Sequence, residues 1–134
     1  MLLVASPGLL KGDDASRGML ARPGEVRPWE VPLRVPFLGS GTSTGVPVPP
    51  CLCPVCRSED PRDKRLRPSV LLEWDSASVL VDTATDFRAQ ALRYRIERVD
   101  AVLYTHGHAD HILGLDDLRL YNWRQGSPVP AYGS

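Results

Sequence analysis

The sequence predicts an α/β (α+β) fold, and three observations carry that expectation. Two apolar runs, Ser69–Trp74 and Ser78–Asp82, are separated only by Asp75-Ser76-Ala77, which reads as a hairpin. A third run, Val99–Tyr104, leads straight into a cluster of histidines. After that cluster Ile112, Leu115, Leu118 and Tyr121 recur at near-helical spacing up to Trp123, so a strand hands over to a helix whose apolar residues face the core.

Taken in order, residues 1–32 are broken by Pro7, Pro23, Pro28 and Pro32 and show no sustained period, so they are expected to form a flexible extension on which Trp29 packs at most against the domain surface. The folded domain is expected over 33–134. Its first strand is placed at Leu33–Leu38, followed by Gly39-Ser40-Gly41-Thr42-Ser43-Thr44-Gly45-Val46-Pro47, a loop of small residues. Such a loop either makes a tight turn or brings backbone amides close to a metal or phosphate. Next comes the cluster Cys51-Leu52-Cys53-Pro54-Val55-Cys56, whose spacing lets three thiolates occupy three corners of a tetrahedral zinc site. The segment Arg57 to Arg67 is dense in charge and reads as a solvated loop. Beyond the hairpin, Asp86 to Ile96 reads as a surface helix with Phe87, Ala91, Leu92 and Tyr94 between arginines. Gln125–Pro128 reads as a turn, and Val129–Tyr132 as a further strand whose exposed edge favours pairing with another chain.

Composition narrows the function. With 134 residues and 43% hydrophobic side chains the chain supports one domain with a modest core. Sixteen basic residues balance sixteen acidic ones, so no overall field points to nucleic acid or an anionic membrane. No apolar run reaches the roughly 18 residues of a membrane span, and Met1–Ala5 lacks a basic flank and is broken by Pro7-Gly8, so a cytoplasmic location is expected. An odd number of cysteines, three within six residues, argues against disulfides and for metal or free thiols.

The chemistry concentrates in Thr105-His106-Gly107-His108-Ala109-Asp110-His111. All three histidines of the chain lie here. On an extended stretch residues two apart point the same way, so His106 and His108 can face one ion. Asp110 and His111, at the start of the following helix, can face a second, with mixed nitrogen and oxygen ligation suited to zinc or a similar divalent ion. Paired ions a few ångströms apart form a hydrolytic centre.

The run from Thr105 to Arg119, THGHADHILGLDDLR, resembles the signature of the metallo-β-lactamase superfamily, and its GLDDLR ending resembles the branch containing phosphoribosyl cyclic phosphate phosphodiesterase. The loop at Gly39–Pro47 is similar to that family's opening, which favours a loop bordering the active site. The cysteine cluster is similar to one that holds a structural zinc in the same branch, and to that of the protein of pyrroloquinoline quinone biosynthesis. The turn Asp82–Arg88 is also similar, with Ala84-Thr85 where Gly or Ser and Pro are usual. The resemblance implies the amino-terminal half of an αββα sandwich. It implies that His106 and His108 bind the first of two divalent ions, zinc or manganese, and that Asp110 and His111 bind the second, Asp110 also orienting the attacking hydroxide. Asp82 would orient the ligand loop, the alternative being a plain helix cap. The fourth ligand of the cysteine zinc, and the third histidine, bridging aspartate and last histidine of the catalytic pair, would come from beyond these 134 residues. The implied activity is phosphodiester hydrolysis on a small cyclic or diester phosphate. Thioester or lactam hydrolysis is the alternative within the superfamily, and a non-catalytic metal-binding fragment or half-domain pairing as a homo-oligomer the alternative outside it.

Overall fold

The computed structural model describes residues 32–133, so the extension expected over 1–32 lies, apart from Pro32, outside the described residues. Five strands form one sheet in the order β1 (Phe37–Gly39), β2 (Ser69–Trp74), β3 (Ala77–Val81), β4 (Ala101–Leu103) and β5 (Ala131–Tyr132). The first three pair antiparallel, and the β3–β4 and β4–β5 pairs are parallel, so the sheet is mixed. Those directions have a consequence for function. β1, β3 and β4 run the same way, so the glycine loop, Asp82 and the histidine motif all leave the sheet at one end.

The hairpin follows from its turn: Asp75 takes φ 51°, a left-handed conformation that aspartate tolerates, and Leu71, Leu72 and Glu73 pair with Leu80, Val79 and Ser78. The crossover from β3 to β4 is α2 (Phe87–Tyr94), ended by Arg95 at φ 52°. From β4 the chain passes through α3 (Ala109–Ile112), a 3₁₀ segment at Leu113–Asp117, and α4 (Leu118–Gln125), which Gly126 closes at φ 69°. Gln125 clamps α4 to the sheet, its amide accepting from Val99 N–H at 3.0 Å and donating to Val99 C=O at 3.0 Å. The core is one layer between the sheet and α2 and α4, made of Leu38, Leu71, Leu80, Phe87, Val99, Val102 and Leu118. Among the described residues no helix is long and apolar enough to cross a membrane.

Several elements depart from the sequence reading. The strand expected at Leu33–Leu38 is divided: Arg34 makes an isolated bridge to Glu73, and regular pairing resumes only at Phe37. Pro36 lies between them, a residue without an N–H to give, although its carbonyl accepts from Leu71 N–H at 3.0 Å. On α2 Leu92 is 65% exposed, whereas Gln90 is buried, donating its amide to Arg67 C=O at 2.7 Å. Leu115, expected in the core, is 51% exposed. The reason is that 109–125 is not one helix. The inward position at the 3₁₀ segment belongs to Gly114, where a Cβ would collide with Ala84 O and the Phe87 side chain, and its flanking leucines turn outward.

Leu80, wholly buried between Leu71 and Val102 on the sheet's covered face, anchors this layer. Leu80→Ala is expected to lower stability by roughly 2–5 kcal/mol in urea denaturation, while Leu92→Ala, at an exposed site, stays within about 0.5 kcal/mol. Equal effects at the two positions would contradict the assigned core.

Candidate metal centre

The site is built from the ends of two parallel strands. Strand pairing continues one residue past β3, where Asp82 N–H donates to Leu103 C=O at 2.9 Å. There the chain reverses: Asp82 takes φ 61°, and Ser69 Oγ donates to its carbonyl at 2.8 Å. The reversal leaves the Asp82 carboxylate, only 4% exposed, facing the segment that follows β4. Its Oδ1 accepts Thr105 N–H at 2.8 Å, and its Oδ2 accepts both the Thr105 hydroxyl at 2.8 Å and His111 Nδ1 at 2.7 Å. Burial works to raise the Asp82 pKa, but the Thr105 N–H, His111 and the Thr105 hydroxyl together outweigh it and hold the carboxyl below the ordinary carboxylate range.

Proton accounting then assigns the tautomers of two histidines. An ionised carboxylate only accepts, so His111 donates from Nδ1, and in the neutral ring the lone pair is on Nε2. Thr105 has one hydroxyl proton, already given to Asp82, so its Oγ1, 2.9 Å from His106 Nδ1, accepts from that nitrogen. His106 likewise keeps its lone pair on Nε2. One buried acid thus orients His111 directly and His106 through Thr105. The rings gather closely: the His106 centroid is 4.1 Å from that of His111 and 4.5 Å from that of His108. Asp110 Oδ2 lies 3.3 Å from His111 Nε2. His106 and His108 are exposed, Asp110 and His111 half-buried.

The motif is seated from the helix side as well. Thr83 Oγ1 donates to Ile112 C=O at 3.1 Å and accepts from the Tyr104 hydroxyl at 2.9 Å, and Gly114 N–H donates to Thr83 C=O at 3.0 Å. Imidazoles with Nδ1 committed to acceptors and Nε2 free, beside a carboxylate, suit a divalent cation. This donor chemistry makes the motif a candidate for a metal, although among the described residues its donor atoms do not converge in threes as the cysteine thiols do.

A second group of donors is the thiols of Cys51, Cys53 and Cys56, which all lie within 4.8 Å of one another. Cys53 caps the single helical turn α1 (Pro54–Arg57), its sulfur accepting Cys56 N–H at 3.5 Å, and that N–H leads the effects that lower its pKa. Val48 N–H, 3.4 Å from the Cys56 sulfur, favours the thiolate there, but burial and the neighbouring thiols outweigh it and raise the Cys56 pKa. Three soft donors with backbone N–H bonds to sulfur fit zinc, and among the described residues no histidine or acid joins them as a fourth ligand.

The glycine loop is strapped down rather than free. Gly41 N–H donates to Leu66 C=O at 2.8 Å, Val46 and Arg65 exchange backbone bonds at 2.8 and 2.9 Å, and Arg67 Nε donates to Ser43 C=O at 2.9 Å. Arg67, expected in a solvated loop, is half-buried and ion-paired with Asp86 at 2.9 Å. A cleft of about 540 Å³ around Trp74–Ser78 and Arg95–Arg98 contains none of the motif residues. It sits at the opposite end of β3. Sequence reasoning had not singled out Thr105 as an orienting residue, although it directly precedes the first histidine; the Arg67–Asp86 brace left no signal in spacing.

Residues 77–134 match the β-lactamase superfamily domain family. A crystal structure described as a new diphosphatase from the PhnP family is 55% identical and superposes with a TM-score of 0.70, over 75% of this chain and 42% of that one. Zn²⁺-bound PqqB from Methylobacterium extorquens is 29% identical with a TM-score of 0.60, over 73% of this chain and 36% of that one. An octanoyltransferase of Porphyromonas gingivalis is 54% identical over 100 residues, which make up 74% of this chain and 20% of that protein. This chain therefore spans well under half the length of each.

The tautomer assignment is testable. Asp82→Asn retains size but turns an amide donor toward His111 or Thr105, and is expected to weaken zinc binding at the motif about 10–100-fold in chelator competition. Thr105→Val acts through His106 and has the smaller effect, and Thr105→Ser restores binding. Wild-type affinity in Asp82→Asn would show that the carboxylate does not set the histidines.

Proposed function

We propose that this chain, which carries a metallo-β-lactamase superfamily domain, contributes the strand-end metal ligands of a hydrolase that cleaves a phosphate linkage, acting as a phosphodiesterase on a small cyclic or diester phosphate. The observation that carries the proposal is the Asp82 carboxylate holding Thr105 and His111 at 2.7–2.8 Å. That arrangement spends a buried acid on orienting imidazoles, which a plain helix cap does not need.

His106 and His108 are assigned to one cation, and Asp110 and His111 to another, with zinc the leading choice and manganese the second. When bound, the cations would supply Lewis acidity and water of lowered pKa. The chain's own part is to hold Nε2 of His106 and of His111 outward, to keep their protons on the Nδ1 side, and to offer Asp110 as the acceptor that orients the attacking water. In the overall reaction water adds its oxygen to phosphorus and the ester oxygen leaves with a proton. The cysteine cluster, lying apart in sequence, is assigned to a structural zinc.

The 55% identity to a PhnP-family diphosphatase supports a phosphate linkage over a thioester or lactam carbonyl. It also brings a phosphoanhydride within the substrate class. Because the chain spans 42% of that structure, the remaining ligands and the activity are assigned to the longer assembly, supplied by further polypeptide or by a second copy.

Elemental analysis of dialysed protein tests the ligand assignment, and hydrolysis of bis(p-nitrophenyl) phosphate against a thioester tests the reaction. About two zinc ions per chain or more, falling in His108→Ala, with turnover of the diester alone, is the expected outcome. Zinc that survives His108→Ala but disappears in Cys53→Ser would leave only the structural site and remove the enzyme reading for this chain.

A further inference from the structure

A cleft of about 340 Å³ lies beside β1, lined by Phe37 and its neighbours, by Arg62, Lys64 and Arg65, and by Arg93 and Tyr94 at the end of α2. Four cations line it, and no acid does. In a chain whose 16 basic and 16 acidic residues cancel, that is a local excess. Asp60, just outside, is committed to Arg62, meeting its Nε at 3.1 and 3.0 Å, and so removes one charge. Among the described residues Lys64, Arg65 and Arg93 make no ion pair.

The cleft is built, not merely charged. The Tyr94 hydroxyl donates to Phe37 C=O at 2.7 Å, which ties the end of α2 to β1 and makes the ring a wall. Arg93 lies over that ring at 5.9 Å. Arg65 is fixed by its backbone bridge to Val46, and its Nε donates to Arg62 C=O at 3.1 Å, which leaves the terminal nitrogens of its fork for a ligand. Guanidinium forks match phosphate oxygens in pairs, and three uncompensated cations match a ligand with two or more negative charges better than a single carboxylate. The volume lies at the small end of the range for small-molecule sites.

We infer that this cleft is an anion site for a phosphate group, held by Arg65 and Arg93, with Lys64, whose ammonium donates to Ser58 C=O, adding its charge from the rim, and separate from the histidine motif. The group is carried either by free phosphate or diphosphate or by a phosphate monoester. The inference stands whether or not the histidine motif catalyses hydrolysis.

Calorimetric titration of the protein with inorganic diphosphate at fixed ionic strength is the test. Saturable binding is expected, unchanged within about twofold in His108→Ala and weakened at least tenfold in Arg65→Ala/Arg93→Ala. Absence of binding, equal binding in the double variant, or loss in His108→Ala would each overturn the site. If the double variant melts at a lower temperature than the parent, the exposed single change Arg93→Gln replaces it, with at least threefold weakening expected and unchanged affinity overturning the proposal. Phenyl phosphate as a second titrant separates the sources: comparable affinity assigns an ester-borne phosphate, and a tenfold preference for diphosphate assigns the free anion. Both keep the cleft as a phosphate site.

Discussion

The Asp82 carboxylate is the constraint on which the candidate site depends. It stands where β3 ends, in a left-handed conformation at φ 61°, and ties that strand end to Thr105 and His111 beyond β4. An isolated buried carboxylate would be costly. Here three hydrogen bonds to its two oxygens offset burial, and the same three bonds decide which imidazole nitrogens point outward. The fold thus orders the ligand face with its own contacts. Less ordering is then left for a cation to impose on binding.

The strand ends would not suffice without the helix side. Thr83, next to Asp82, is wholly buried and fixes Ile112, while Gly114 brings its backbone against Thr83 and Ala84 where a side chain would not fit. Asp82 and Thr83 therefore grip the C-terminal end of the short helix α3 at adjacent residues, the first at His111 and the second at Ile112. Four residues after Asp82, in the same turn, the Asp86 carboxylate holds Arg67 and, through it, the glycine loop at Ser43. A single turn, Asp82–Asp86, is the junction of three otherwise distant segments.

How much of this was legible in the sequence depended on whether the signal was local. The hairpin, the crossover helix and the strand into the histidines follow from runs and periods, and each lies within two or three residues of its expected place. The motif residues stand out as candidates because their spacing alone suits metal ligation. Leu115 and Leu92 were misread because periodicity assumes one unbroken helix facing one layer, whereas Gly114 and Gln90 took the inward positions for backbone approach and for a hydrogen bond to Arg67. The proton relay from His106 through Thr105 to Asp82 joins residues 23 positions apart and depends on a reversal at Asp82 that no pattern of apolar residues encodes.

The sheet itself carries a second piece of physical logic. Along β2 and β3 the buried residues Leu71 and Leu80 alternate with Val70, Leu72, Val79 and Val81, so both faces are apolar rather than one apolar and one polar. A one-sided antiparallel sheet shows clean alternation with polar residues, and strands apolar on both sides belong between two covering layers. Among the described residues helices cover one face only, while Phe37 at 67%, Tyr132 at 58% and Leu103 at 40% exposure lie along the other. Exposed apolar side chains gathered on one sheet face fit contact with another surface better than open water. The alternation that builds the core on one side thus leaves a row of apolar side chains facing outward on the other.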